Sequence, residues 1–274
     1  MSPSAHQYVL ENVRKLFGRQ QVALDGVNLT IEKGQRVALI GPSGAGKTTL
    51  FRLLNCTLRQ SSGKIWINDE DVETLRGKRL RRARSMIGTV YQQHNLVLRL
   101  KVIHNVLSGK LGTWSTAGSL LSLLKPAEVE LAHSALAKVG IAEKLFERTD
   151  ELSGGQQQRV AIARVLVQNP EIILGDEPVS SVDPTLANSI VKLLIDISEE
   201  TKKTLLVSLH SVDLALAYFP RVIGIKNGKT SFDLPPDEIS DTMLQDLYSG
   251  NVGDRPVSEA VSEPSVSVVY PSVS

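Results

Sequence analysis

The sequence predicts an α/β fold organised around a buried parallel sheet, and three observations carry that prediction. The apolar runs at 172–174, 204–209 and 222–225 are nearly continuous rather than alternating, and an amphipathic helical stretch at 186–199 lies between the first two. Strands covered on both faces read this way. A further run, Val37-Ala38-Leu39-Ile40, passes through a glycine-rich loop into the helix-like Thr49-Leu50-Phe51-Arg52-Leu53-Leu54, giving the strand, loop, helix order of parallel α/β proteins. Finally, the 172–174 run ends in Gly175-Asp176-Glu177, which puts two carboxylates at the carboxyl edge of the sheet, where such folds gather ligands.

The remaining elements follow in chain order. Segments 7–13 and 27–31 alternate apolar and polar residues and predict antiparallel strands, separated by Phe17-Gly18-Arg19-Gln20 and by a turn at Asp25-Gly26. After the glycine-rich loop and its helix, Ser61-Ser62-Gly63 turns into a strand at Lys64-Ile65-Trp66-Ile67, and 86–91 reads as another. From 102 to 167 the periods are helical, broken at 111–118 and at Lys125-Pro126, which predicts an inserted helical subdomain. Beyond Gly253 the chain turns to Ser, Val, Pro and Glu with one aromatic, the composition of a disordered tail.

Composition excludes several classes. A length of 274 residues suits one large α/β domain or a core with an inserted subdomain, and 42% hydrophobic residues exclude a disordered or fibrous chain. A formal charge of +2 is too small to argue for a nucleic-acid partner. The run Arg76-Gly77-Lys78-Arg79-Leu80-Arg81-Arg82-Ala83-Arg84 has poor apolar spacing and no interleaved aromatics, so it reads as a solvated helix face. The single cysteine, Cys56, cannot form an intrachain disulfide, which suits the cytosol, and is expected to be a small core residue. No apolar segment reaches the ~18 residues needed to span a bilayer, and 1–8 lacks a signal-peptide pattern, so the chain is expected to be soluble or peripheral through partners.

The glycine-rich loop carries the first chemistry. Gly41-Pro42-Ser43-Gly44-Ala45-Gly46-Lys47-Thr48 fits G-x-x-x-x-G-K-[ST] and runs on into Thr49. Its glycines let backbone N–H groups converge on phosphate oxygens, and the following helix adds the positive end of its dipole. Lys47 is expected to reach the β- and γ-phosphates and Thr48 to ligate Mg²⁺, so ATP and Mg²⁺ are the ligands implied. The acidic pair supplies the second element: Asp176 would hold Mg²⁺ through a water and Glu177 would polarise the attacking water as general base.

Between these two elements stands Leu152-Ser153-Gly154-Gly155-Gln156, which resembles the signature motif of ATP-binding cassette proteins. The resemblance runs from about 8 to 248, and the family order holds: phosphate loop, Tyr91-Gln92, signature, acidic strand, Ser180-Ser181-Val182-Asp183, then His210 after a strand. It implies a P-loop NTPase with a RecA-like core, an antiparallel β subdomain and an inserted α-helical subdomain. The nucleotide-binding domain would span 6–252, its helical part about 95–168, with 253–274 as the tail. In this family Ser153, Gly154, Gly155 and Gln156 open a helix whose positive end serves the γ-phosphate held by the other subunit. The implied assembly is a homodimer that sandwiches two ATP molecules head to tail and opens on hydrolysis. Gln92 corresponds to a residue that touches Mg²⁺ or the attacking water, His210 to a switch histidine on the γ-phosphate, Asp183 to the loop that communicates across the dimer, and Phe17 to the aromatic that stacks on adenine.

Within the family, Tyr91-Gln92-Gln93-His94-Asn95-Leu96-Val97, Arg99-Leu100, Asn105-Val106-Leu107 and Gly109-Lys110-Leu111-Gly112 resemble the phosphonate-importer ATPases, although His94 stands where that group usually has Phe. The resemblance implies an ATPase subunit peripheral to the cytoplasmic face of the inner membrane. Its permease subunits would engage it near 92–102, and a separate extracytoplasmic solute-binding protein would capture the cargo. The alternatives are importers for phosphite, phosphate or polar amino acids. A rival from another class is a soluble cassette ATPase acting on ribosomes or nucleic acid, but such proteins usually carry two cassettes or a long coiled-coil insertion, and neither is visible. A small-molecule kinase leaves the signature unaccounted for.

Overall fold

A computed structural model describes residues 5–18, 21–93, 95–112, 128–180 and 182–249 of the chain; the expected tail at 253–274 and residues 113–127, which hold most of the first expected helical break at 111–118 and all of the second at 125–126, lie outside them. In chain order the elements are β1 (His6–Phe17), β2 (Gln21–Glu32), β3 (Arg36–Ile40), α1 (Lys47–Leu54), β4 (Ser62–Ile67), β5 (Glu70–Asp71), α2 (Gly77–Ser85), β6 (Ile87–Tyr91) and α3 (Val102–Leu107). Then come α4 (Val129–Lys138), α5 (Gly154–Gln168), β7 (Ile172–Asp176), α6 (Pro184–Thr201), β8 (Thr204–Ser208), α7 (Val212–Tyr218), β9 (Val222–Lys226), β10 (Lys229–Leu234) and α8 (Asp241–Tyr248).

The main sheet has the order β10-β9-β3-β8-β7-β6, parallel throughout except for the antiparallel edge strand β10. Period-2 alternation divides its side chains between two cores. Ile172, Leu174, Leu206, Ile223 and Ile225 join α1 and the antiparallel sheet β2-β1-β4-β5 on one face. Ile173, Leu205, Val207 and Val222 join α3 to α8 on the other. Both faces are covered, which is why these strands lack a polar register. Within α1 the stripe Leu50, Phe51, Leu53 and Leu54 is buried, each side chain contributing roughly 1.5–3 kcal/mol, and the Tyr8 hydroxyl donates to Leu54 O at 3.1 Å.

The two sheets are also joined by polar contacts. Thr204 Oγ1 on β8 donates to Gln7 Oε1 on β1, Gln7 Nε2 donates to Asn68 Oδ1, and Asn68 Nδ2 donates to Glu171 Oε2, just ahead of β7. Each is 3.0 Å or shorter, so the buried amide of Gln7 is satisfied at both ends.

Two local expectations are corrected. Asp25-Gly26 is not a turn between strands: β2 runs unbroken through it, with Gly26 at φ +76 and the Asp25 N–H turned out of the ladder to donate to Gly228 O at 2.8 Å. The dipeptide is an irregularity in a paired strand, and β1 pairs with β2 on both sides of it. The helical region is more interrupted than its periodicity suggested. α4 stops at Gly140 (φ +73), and short 3₁₀ turns at Ala142–Lys144 and Thr149–Glu151 fill the way to α5 because Lys101 pairs with Arg148 across the subdomain. The expected basic run forms α2, with only Ala83 of that helix buried, and Cys56 is buried as expected. β5, β10, α7 and α8 had no sequence reading.

The glycine at the end of β3 shows how tightly the phosphate loop is seated. Gly41 has φ +151, and a Cβ built there would lie 2.1 Å from the backbone oxygen of Ile225 in β9. Gly41→Ala is therefore expected to destabilise the fold by about 2–4 kcal/mol, because backbone and not a movable side chain blocks the methyl group. Urea unfolding monitored by circular dichroism checks this, and a wild-type midpoint would mean that the loop can shift away from β9.

Candidate active site

Parallel register brings the chemistry to one edge. Tyr91 pairs with Asp176, Asp176 with Ser208, and Ser208 with Leu39, so the ends of β6, β7, β8 and β3 stand side by side. From that row the chain leads into Gln92, Glu177, His210 and the loop 41–48.

α1 begins at Lys47 with Gly46 as N-cap at φ +110 and no side-chain cap, which leaves its first turn directed at the loop. Lys47 is buried; its Nζ donates to Gly41 O at 2.7 Å and Pro42 O at 3.3 Å and lies 3.8 Å from Glu177 Oε1. Ser43, Gly44 and Thr48 are exposed at the mouth of the loop, whereas Pro42 and Ala45 are buried and Thr49 is half-buried. Thr48 Oγ1 donates to Asp176 Oδ1 at 3.3 Å.

The two carboxylates are set apart electrostatically. Burial pushes Asp176 above the usual carboxylate range, while hydrogen bonds from Ser208 and Thr48 pull the other way. Glu177 is held below its ordinary value, first by its hydrogen bond to His210, whose Nε2 lies 2.8 Å from Oε2, with burial opposing and Lys47 assisting. Glu177 is thus held as the carboxylate, with the Lys47 ammonium on one side and the His210 imidazole on the other. Its backbone adopts φ +50, uncommon for a residue with a side chain, and points the carboxylate back over the loop from a sharp turn after β7.

The signature lies at the start of α5. Ser153 is its N-cap: its Oγ accepts the N–H of Gln156 at 3.3 Å while Gln156 Oε1 accepts the N–H of Ser153 at 2.9 Å, a complete capping box. The two glycines differ. A Cβ on Gly155 would meet Leu186 Cδ2 of α6 at 2.3 Å, whereas one on Gly154 would meet nothing within 4 Å. Packing explains the second glycine only. Ser153 and Gly154 are exposed, so this helix start faces outward. Asp183 caps α6, accepting the N–H of Leu186 at 3.0 Å ahead of Pro184 at the first helical position, and is exposed as well.

Gln92 is exposed directly after β6. Phe17 is half-buried at the end of the β1–β2 hairpin, with Lys15 Nζ 5.2 Å from its ring centroid and the exposed Leu16 and Val22 paired beside it. The same hairpin reaches the loop, since Ala23 O would lie 2.6 Å from a Cβ on Gly46.

Sequence reasoning missed two groups. Ser208 hydrogen-bonds at both acidic residues, and the only sequence signal for it is a polar residue ending an apolar strand two positions before His210. Asn105 and Thr149 fix the segment that follows Gln92: Asn105 exchanges hydrogen bonds with both backbone groups of Val97 and donates to Thr149 Oγ1, which donates to Leu100 O. Beside that segment a cleft of about 390 Å³ separates α2 and β6 from the 3₁₀ turn Ser108–Gly112, with Arg81, Arg84, Tyr91, Asn95 and Arg164 on its walls.

A parallel sheet whose phosphate loop, acidic strand end and outward-facing signature helix occur in this arrangement defines an ATP-binding cassette, a class that binds and hydrolyses ATP. A profile of the family described as ABC transporter matches residues 24–180, and the chain belongs to that family. It is 48% identical over 227 residues to the phosphonates import ATP-binding protein PhnC of Pseudomonas fluorescens, covering 83% of this chain and 86% of that one. It is 44% identical over 241 residues to PhnC 1 of Cupriavidus necator, covering 88% and 86%. Among solved structures it resembles a dimeric bacterial ABC transporter cassette (TM-score 0.73, 32% identity, 84% and 98% covered). It also resembles an ATP-binding cassette in its ADP conformation (TM-score 0.77, 28% identity, 90% and 100% covered). A further similar cassette is a post-hydrolysis dimer bound to ADP and Pi (TM-score 0.71, 31% identity).

Proposed function

We propose that this chain is the ATP-hydrolysing subunit of a phosphonate importer, working as a homodimer on the cytoplasmic face of the inner membrane. Permease subunits would complete the importer, and an extracytoplasmic binding protein would deliver cargo to them. One observation carries the enzymatic part: Lys47, Thr48, Asp176, Glu177 and His210, drawn from three separate elements, form one connected set of contacts at the sheet edge. Identities of 42–49% to phosphonates import ATP-binding proteins along most of the chain support the cargo.

The roles divide by chemistry. Loop 41–46 and Lys47 bind the phosphates, Thr49 extends the same helix start, and Phe17 offers its ring to the adenine. The hard oxygen donors Thr48 and Asp176 suit Mg²⁺, with Gln92 at the same edge. Among the described residues no group of three His, Cys, Asp or Glu side chains is arranged as a metal site, and oxygens of a bound nucleotide would supply the rest of the shell of a cation held by Thr48 and Asp176. When bound, it neutralises phosphate charge. Glu177 takes the proton of the attacking water, and His210 holds that carboxylate and senses the γ-phosphate. Ser153, Gly154, Gly155 and Gln156 complete the site of the partner subunit, and Asp183, also exposed, carries the signal between sites.

No described helix is long and apolar enough to cross a membrane, so attachment falls to the permease. The permease would engage the exposed surface near 92–102, next to the cleft that Asn95 helps to line, and no nucleic-acid partner is needed. The test is uptake of labelled methylphosphonate, phosphite, phosphate and a polar amino acid by a deletion strain of the native host carrying either wild type or Lys47→Ala. Loss of phosphonate uptake alone is expected with Lys47→Ala. Loss of another compound instead would reassign the cargo, and unimpaired uptake of all four would remove the transport role.

A further inference from the structure

Ser208 is a hydroxyl that ends β8 after three buried apolar residues, Leu205, Leu206 and Val207, and it is fully buried. A hydroxyl in such a place must find partners, and neighbouring strand backbone would be the ordinary choice. Instead its Oγ accepts the N–H of Glu177 at 2.9 Å and donates to Asp176 Oδ1 at 3.2 Å. One atom therefore touches both members of the acidic pair.

The consequences differ for the two residues. Asp176 Oδ1 accepts from Ser208 on one side and from Thr48 Oγ1 at 3.3 Å on the other. Two donors on one oxygen fix the rotation of the carboxylate and leave Oδ2 as the oxygen not engaged by either hydroxyl. For Glu177 the contact is through backbone. Its N–H ends on Ser208, while its carbonyl accepts the N–H of Ser180 at 3.3 Å and the Ser180 hydroxyl at 3.2 Å. Both ends of a residue at φ +50 are thereby pinned, and the side chain that bonds to His210 is aimed by that turn.

We propose that Ser208 is a positioning residue for ATP hydrolysis, using one hydroxyl to set the Asp176 carboxylate and the Glu177 turn in a fixed relation. This deepens the ATPase reading and rests on it. It also explains why β7 and β8 must hold their register: Asp176 pairs with Ser208, and a slip of one residue would turn the hydroxyl to the opposite face.

The test uses the full-length protein and Ser208→Ala, which removes one buried oxygen and leaves strand packing otherwise intact. Binding of a fluorescent ADP analogue is measured with excess EDTA and across a Mg²⁺ titration, alongside steady-state hydrolysis and thermal melting. ADP affinity in EDTA is expected to stay within about twofold of wild type, because the phosphate loop is untouched, while half-saturation in Mg²⁺ shifts upward. The hydrolysis rate is expected to fall about tenfold or more, the scale of one lost hydrogen bond to a charged group together with a freed turn. In a Glu177→Gln background the same substitution should cost less activity than in wild type, since the part that acts through the Glu177 turn is already lost, while the upward shift in Mg²⁺ half-saturation, which acts through Asp176, should persist. Equal weakening of ADP binding with and without Mg²⁺ would reduce Ser208 to a packing residue, and wild-type hydrolysis with wild-type Mg²⁺ dependence would remove any role. Absence of hydrolysis by the wild-type protein would instead sink the ATPase reading itself.

Discussion

Glu177→Gln is expected to lower ATP hydrolysis by about three orders of magnitude while nucleotide binding is retained or strengthened. The amide keeps the shape of the side chain and can still contact His210, but it cannot accept a proton, and general-base assistance accounts for roughly 10²–10⁴ in rate. The binding half of the prediction follows from Lys47. Its Nζ lies 3.8 Å from Glu177 Oε1, so a γ-phosphate and this carboxylate compete for one buried ammonium. Neutralising Glu177 removes the competitor. It also removes a negative charge that would face the phosphate, so the ATP-closed dimer should accumulate and be resolved by size-exclusion chromatography in ATP. Single-turnover hydrolysis at the wild-type rate would show that another group activates the water. Normal rates combined with weaker binding would mean that Glu177 serves the phosphate loop alone.

The reach of the sequence ends where chemistry becomes non-local. The phosphate loop and the acidic pair were legible because each is a contiguous string whose spacing is its function, and the flanking apolar runs located both on strands. The signature and His210 were legible only through family resemblance, since an exposed helix start such as that of Ser153-Gly154 is unremarkable by itself. Ser208 was not legible: its partners are 31 and 32 residues away, and only the register of β7 against β8 brings them together. The interruptions between α4 and α5 were hidden for the same reason. Apolar periodicity is blind to the Asn105–Thr149 hydrogen bond, which spans 44 residues and ties α3 to the 3₁₀ turn Thr149–Glu151. Asp25-Gly26 misled in the opposite direction, because turn-forming residues also serve as irregularities inside paired strands.

Ser153→Arg is expected to abolish ATP-driven dimerisation and reduce hydrolysis to near background, with ADP affinity of the isolated chain unchanged within about twofold. Loss of the cap explains little of this. Replacing an N-cap hydroxyl costs roughly 1 kcal/mol, and α5 spans 15 residues with Val160, Ile162, Val165 and Val167 buried, so the helix should persist. Ser153→Ala supplies the control, since it loses the same capping bond without adding bulk or charge. What arginine adds is a long cation at an exposed helix start, where a head-to-tail partner would have to seat its own γ-phosphate against backbone N–H groups. Concentration dependence separates a site completed by a partner from one complete within a chain. If the partner completes it, wild-type specific activity rises with protein concentration and levels off as dimer saturates, while Ser153→Arg stays flat and low throughout. A wild-type activity independent of concentration, or normal ATP-driven dimerisation by the arginine variant, would return Ser153 to the role of a helix cap.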